Sequence, residues 1–277
     1  MLPPFFRSFE ISDPAYERDD LRQVAVHSAA LGGRADVTFF VPPELTSATP
    51  VPLVLLLHGA YSAHWAWALK GGAHHTARRL MAAGAIPRMV LAMPSDGMEA
   101  DSTGYIAHPD VDYASWIVND VPTIAARVHP ALSAASPLCI AGLSMGGFGA
   151  LYLGLRFPER FAAVSAHSAV TDLAARFGRA PSPGHAEVHR LRNDASLSVL
   201  HWAKRHRDRL PPFRFDCGRD DELCAQNRAL SHALTGERIA HRYEEFPGGH
   251  DWPYWREHLE DSLRFFAGVL RKDATER

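Results

Sequence analysis

Several short stretches of the chain hold residues whose types and spacing suit nucleophilic chemistry. In "CIAGLSMGGFGAL" (139–151), the run Gly142-Leu143-Ser144-Met145-Gly146 is a G-x-S-x-G pattern lying between an apolar run and a helix-like one. In a strand–turn–helix setting, this pattern lifts a serine hydroxyl clear of a sheet edge on a strained turn. Glycines on both sides of the serine remove side chains that would collide in so tight a turn. A serine hydroxyl is a poor nucleophile unless a base takes its proton, and the base needs a third group to orient it. The partners should follow in the order serine, acid, histidine, each just past a strand.

The later chain offers both partners. "FPGGHDWPYW" (246–255) supplies His250, on a loop that Gly248 and Gly249 leave free to turn inward. "CGRDDELC" (217–224) supplies Asp220, Asp221 and Glu222 just beyond an apolar run. Adjacent residues point in different directions, so only one of Asp220 and Asp221 can easily face His250, and spacing leaves open which. A tetrahedral intermediate also needs two donors for its oxyanion. One is expected from the backbone N–H of Met145. The other is expected from Ala60, in "HGAYSAHWAW" (58–67), the loop after what reads as the third strand. His58 reads as a structural residue that holds this loop.

The elements that must position these residues are legible as alternating apolar and amphipathic runs. Residues 52–59, 88–94, 137–144, 160–168, 212–218 and 240–249 read as strands. Several are apolar on both faces, as buried parallel strands are. Residues 63–83, 113–128, 145–156, 222–235 and 252–270 read as helices, the last with apolar residues every three or four positions. Residues 24–42 read as a β-hairpin around Gly32–Gly33. A hairpin followed by repeated β-α units implies an α/β fold: a mostly parallel sheet with helices on both faces, and ligands outside the carboxyl ends of its strands. Residues 171–211 break this rhythm and read as an inserted cap of short helices and loops within a single domain spanning 1–277.

Composition excludes several other classes. The 277 residues carry a net charge of −2, which calls for neither nucleic acid nor an anionic membrane. No apolar run is long enough to span a bilayer. The opening residues lack a basic segment, a long apolar core and a small-residue cleavage site, so no signal peptide is expected. Cys139, Cys217 and Cys224 make an odd count that suits a reducing, cytoplasmic setting better than a disulfide framework. The 16 histidines are scattered without metal-ligand spacing, so no metal or cofactor is expected. A homo-oligomer is compatible with all of this.

Taken together, "LLLHGAYSAHWAW", "GLSMGGFGAL", "GRDDEL" and "PGGHDWPYW" resemble the esterase D-like branch of the α/β-hydrolase superfamily. That branch includes tributyrin-type carboxylesterases, S-formylglutathione hydrolases, feruloyl esterases and mycolyltransferases of the antigen 85 type. "DYASWIVNDVP" (112–122) resembles the helix that the branch carries ahead of its nucleophile strand. The likeness runs from about residue 50 to 265 and diverges in the cap. It implies an α/β-hydrolase fold and a Ser144–His250–Asp221 triad. The branch places its acid in a Gly-x-x-Asp pattern, here Gly218 to Asp221, and so the resemblance selects Asp221 over Asp220. "GGHDWPYW" and "HGAYSAHW" depart from the corresponding segments of S-formylglutathione hydrolases, which lowers formylglutathione as a substrate.

The resulting expectation is a serine carboxylesterase acting on small esters, with short acyl chains preferred. The alternatives are an S-formylglutathione hydrolase-like thioesterase or an acyltransferase using the same triad, and a catalytically inactive binding module on the same fold. Tyr61, Trp65, Trp67, Trp252 and Trp255 flank the proposed loops. Tyr61 and Trp252 are expected to touch substrate, and His167, at a strand end, to line the site.

Overall fold

The computed structural model describes residues 6–43, 45, 50–96, 103–173, 190–191 and 193–275. These contain strands β1 (Phe6–Ile11), β2 (Leu21–Ser28), β3 (Gly33–Phe40), β4 (Leu53–Leu57), β5 (Val90–Pro94), β6 (Leu138–Leu143), β7 (Ala163–His167), β8 (Phe213–Gly218) and β9 (Arg242–Phe246). They form one sheet in the order β1-β2-β3-β5-β4-β6-β7-β8-β9. The pairs from β1 to β5 are antiparallel, and all pairs from β5 through β9 are parallel. This is the mostly parallel sheet expected, with the predicted hairpin at its antiparallel end.

Buried alternation sorts the helices into two layers. Leu53, Leu55 and Leu57 face a cluster with Ile140, Val164, Ala166 and Phe215, while Val54 and Leu56 face another with Leu91, Cys139 and Leu143. Against the first face pack α3 (Tyr113–Ser115), α4 (Val121–Val128), α5 (Met145–Arg156), α6 (Val199–Arg205) and α7 (Cys224–Gly236). Against the second pack α1 (Ala66–Leu69), α2 (Ala73–Ala82) and the C-terminal α8 (Trp252–Thr275). Both faces of the central strands are thus covered, which is why those strands read as unbroken apolar runs.

The sequence reading differs from the structure in four places. β1 was not expected: "FRSFEI" pairs with β2 at the sheet edge through an irregular register, and most of its residues are exposed, so it lacks a clean alternation. The loop that carries Ala60 therefore follows the fourth strand, not the third. The helix expected over 63–83 is split at Gly71–Gly72, where Gly72 has φ +63°. The stretch 113–128 is helical throughout but passes through a π turn, Trp116–Asp120, between α3 and α4. Of the expected cap over 171–211, residues 174–189 and 192 lie outside the described residues. Its later part includes α6, which packs against α5 beneath the sheet.

The parallel register sets the strand ends side by side. Leu57 pairs with Gly142, Leu143 with His167, His167 with Asp216, and Gly218 with Phe246. The loops that leave these ends are the ones that carry the candidate catalytic residues.

Candidate active site

Ser144 occupies the turn between β6 and α5 with φ 57° and ψ −117°, a conformation that a side-chain-bearing residue rarely adopts. The turn is held by backbone bonds. The Ser144 N–H donates to the His167 carbonyl, and the Ser144 carbonyl accepts from Phe148 and Val170. Glycine is required on both sides because the chain approaches itself closely. A Cβ on Gly142 would lie 2.1 Å from the Gly146 oxygen, and one on Gly146 would lie 2.3 Å from the Leu57 oxygen. The second contact brings the start of α5 against the end of β4, where the loop carrying Ala60 begins. With α5 starting at Met145, the positive end of its dipole lies beside Ser144.

The three candidate catalytic side chains form one hydrogen-bonded line. The Ser144 hydroxyl lies 3.0 Å from His250 Nε2, and His250 Nδ1 lies 2.8 Å from Asp221 Oδ2. With Nδ1 protonated, the imidazole donates to Asp221 and accepts from Ser144. The other oxygen of Asp221 accepts the Leu223 N–H at 2.8 Å. Asp221 is buried at 5 % exposure, whereas Asp220 is exposed, and the acidic run thus divides into one inward and one outward carboxylate. Burial raises the Asp221 pKa, but the bonds from His250, Leu223 and Ser168 outweigh it and hold the carboxyl below its usual range. Gly218 is needed for this approach: a Cβ there would lie 2.2 Å from the Gly248 oxygen, on the loop that carries His250.

A cleft of about 480 Å³ opens over this line, between Gly59–Ser62 and Asp251–Trp255. Ser144 and His250 lie in its floor, and Tyr61, Lys70, Trp252 and Trp255 in its walls. Tyr61 is 71 % exposed with φ 59°. The Lys70 ammonium lies 5.5 Å from the Trp252 ring. Trp255 meets the His250 ring edge-on, with centroids 5.0 Å apart at 89°. Ala60 also lies in the cleft lining, and its N–H donates to no described residue. The loop around it is fixed from below. Trp67 Nε1 donates to the Leu57 carbonyl, the Tyr105 hydroxyl donates to the His58 carbonyl, and His58 Nδ1 lies 2.8 Å from the Gly59 carbonyl oxygen.

Ser144, Asp221, His250, Met145, Ala60, Tyr61 and Trp252 are therefore brought together, but His167 is not in the cleft. It is fully buried, with Nδ1 3.0 Å from Asp216 and Nε2 2.8 Å from the Ser262 hydroxyl. Both ring nitrogens are occupied inside the protein, so the side chain has nothing to offer a ligand. Only its carbonyl reaches the site, through Ser144. Trp65 lines a different groove, and Trp67 is core. One residue bonded to Asp221 carries no mark in the sequence: Leu223, which contributes only a backbone N–H. Among the described residues, no group of three or more histidine, cysteine or acidic side chains could hold a metal ion. No helix among them is long and apolar enough to cross a membrane.

The chain is 28% identical over 171 residues to an acetyl esterase of Caldicellulosiruptor saccharolyticus, a match covering 57% of this chain and 64% of that protein. The chain thus spans less than two-thirds of that relative's length. Its structure is similar to that of a ferulic acid esterase, with TM-score 0.79 and 25% identity over 90% of this chain and 98% of the other. It also shares its fold with an S-formylglutathione hydrolase, FrmB, of Staphylococcus aureus, with TM-score 0.75 and 20% identity over 88% and 97% of the two chains. A family model described as "Putative esterase" matches residues 28–266, and the chain belongs to that family.

Proposed function

We propose that the protein is a serine carboxylesterase that cleaves carboxylic esters through an acyl-enzyme. The observation that carries this reading is the unbroken line from Asp221 to His250 to Ser144, with the serine on a strained turn at the head of a helix. His250 Nε2 takes the Ser144 proton as Oγ attacks the acyl carbonyl. The Asp221 carboxylate keeps the imidazole in the productive tautomer and stabilises the imidazolium that forms. The N–H groups of Met145 and Ala60 receive the oxyanion, where fixed dipoles act without reorganising. His250 then gives its proton to the leaving alcohol. Water enters, loses a proton to His250 and attacks the acyl carbon, which releases the acid and restores Ser144.

Tyr61 and Trp252 form the substrate-facing walls of this reading, and the small cleft favours short acyl groups. Two measurements test it. A fluorophosphonate probe should label the wild type and fail to label Ser144→Ala. A p-nitrophenyl ester series should peak at acetate to butyrate. Labelling that survives Ser144→Ala would overturn the nucleophile, and a maximum at twelve carbons or more would overturn the acyl preference.

A further inference from the structure

The lining of the cleft over Ser144 and His250 carries one lysine and one carboxylate, Lys70 and Asp251, and they differ in what already holds them. Asp251 stands just before α8. Its Oδ1 accepts the Tyr254 N–H at 3.0 Å and its carbonyl accepts from Trp255, so it caps the first turn of that helix. A carboxylate there is already offset by the helix N-terminus. Lys70 has no such partner. Among the described residues, no carboxylate lies within ion-pair distance of its ammonium, which sits 5.5 Å from the centroid of the Trp252 ring. An indole face attracts a cation but leaves its charge in place.

The base of this side chain is fixed. Lys70 closes α1, with its N–H donating to the Ala66 carbonyl and its own carbonyl accepting from Arg256 at 3.1 Å. The next residue, Gly71, packs so closely on Trp252 that a Cβ would lie 2.9 Å from the indole. Trp67 and Trp255 meet that indole edge-on, with centroids 5.7 and 5.4 Å away. The lysine and its aromatic platform are thus mounted together on one wall of the cleft. A neighbouring groove of about 430 Å³ shares Lys70 and adds Arg256 against one carboxylate, Asp19, so the positive side extends past the cleft.

We propose that Lys70 is a specificity-determining residue: it selects esters that carry a carboxylate a few bonds from the scissile carbonyl, on the acyl or the alcohol side. The inference rests on the Ser144–His250–Asp221 reading and names a substrate class for it. The substrate carboxylate pairs with the ammonium while the carbonyl lies against Ser144, and Trp252 covers the carbon chain between them. This contact is made alike in the ground state and the transition state, so it raises kcat/KM chiefly by lowering KM.

The test uses two matched pairs of esters on the wild type, Lys70→Ala, Lys70→Glu and Lys70→Arg. Mono-p-nitrophenyl glutarate against p-nitrophenyl pentanoate places the charge on the acyl side. p-Acetoxybenzoate against its methyl ester places it on the alcohol side. The reading is the ratio of kcat/KM, anionic over neutral, which cancels any general loss of activity. In at least one pair the ratio should fall about tenfold in Lys70→Ala, the worth of one charge-assisted contact, and further in Lys70→Glu. Lys70→Arg should keep it within about twofold, and the loss should lie in KM. Added salt should lower the ratio in the wild type and not in Lys70→Ala. The pair that responds names the half of the ester that carries the charge. Ratios in Lys70→Ala within about twofold of wild type for both pairs, or a wild-type ratio that salt leaves unmoved, would overturn the proposal. Failure of the triad reading looks different: there Ser144→Ala would still turn over both members of each pair.

Discussion

At the residue scale, burial separates two neighbouring aspartates that spacing alone presents as equals. Asp221 is tied to His250 and to the Leu223 N–H, while Asp220 is exposed. Asp221→Asn should lower kcat by about 10⁴, because the imidazole loses the partner that sets its tautomer. Asp220→Asn should stay within a few-fold of wild type. The reverse ranking in steady-state kinetics would move the acid to Asp220. Ser144→Ala should lower kcat by about 10⁵–10⁶, the cost of losing a triad nucleophile. The turn at Ser144 and the loop at His250 are legible because each is marked by a local glycine pattern. His167 was misread because a polar residue at a strand end looks the same in sequence whether it faces a ligand or a buried aspartate. Here Asp216 and Ser262, from β8 and α8, claim both of its nitrogens.

At the element scale, the site depends on how closely the loops approach each other. Gly218 ends β8 directly under the Gly248 carbonyl, which lies on the histidine loop. Gly218→Ala would push that loop away from Asp221. Misplacement by about 1 Å costs on the order of 10²-fold, so kcat should fall by about that factor while far-ultraviolet circular dichroism stays native. A variant with full activity would show that the loop can move aside at no cost. The parallel strands and their helices were readable because each buries a repeating apolar face. β1 was not, because an exposed edge strand has little to bury. The break at Gly71–Gly72 was also missed, because the flanking helical pattern continues across it.

At the scale of the whole molecule, a buried polar network joins β7 and β8 to the C-terminal helix. Arg214 and His167 both bind Asp216, at 2.9 and 3.0 Å. The Tyr254 hydroxyl donates to Asp216 at 2.8 Å, and Ser262 bridges His167 and Ser165. Because α8 begins two residues after His250, this network ties the segment that follows His250 to β7 and to β8, the strand that leads to Asp221. Removing one partner leaves the others buried without it, so Asp216→Ala should cost about 3–5 kcal/mol in urea unfolding. A loss near zero would mean that the network contributes no net stability. Burial raises the Asp216 pKa, but His167, Arg214 and Tyr254 outweigh it, so Asp216 and Asp221 both titrate below the ordinary value of 3.8. Each therefore binds a proton less readily folded than unfolded. Their stabilisation is complete above the unfolded value and is lost as pH falls through the folded one. Unfolding free energy should be insensitive to these two groups above about pH 5 and decline below about pH 4. Asp216→Asn should flatten part of that decline.

By itself, the order of residues determined the alternation of strands and helices, the tight turn at Ser144 and the family, because each is written in local spacing or in a short motif. The tertiary structure decided which carboxylate faces inward and where His167 points. Those outcomes depend on contacts between residues that are dozens of positions apart in the chain. The aligned register of β4, β6, β7 and β8 brings them together, and no local pattern records that register.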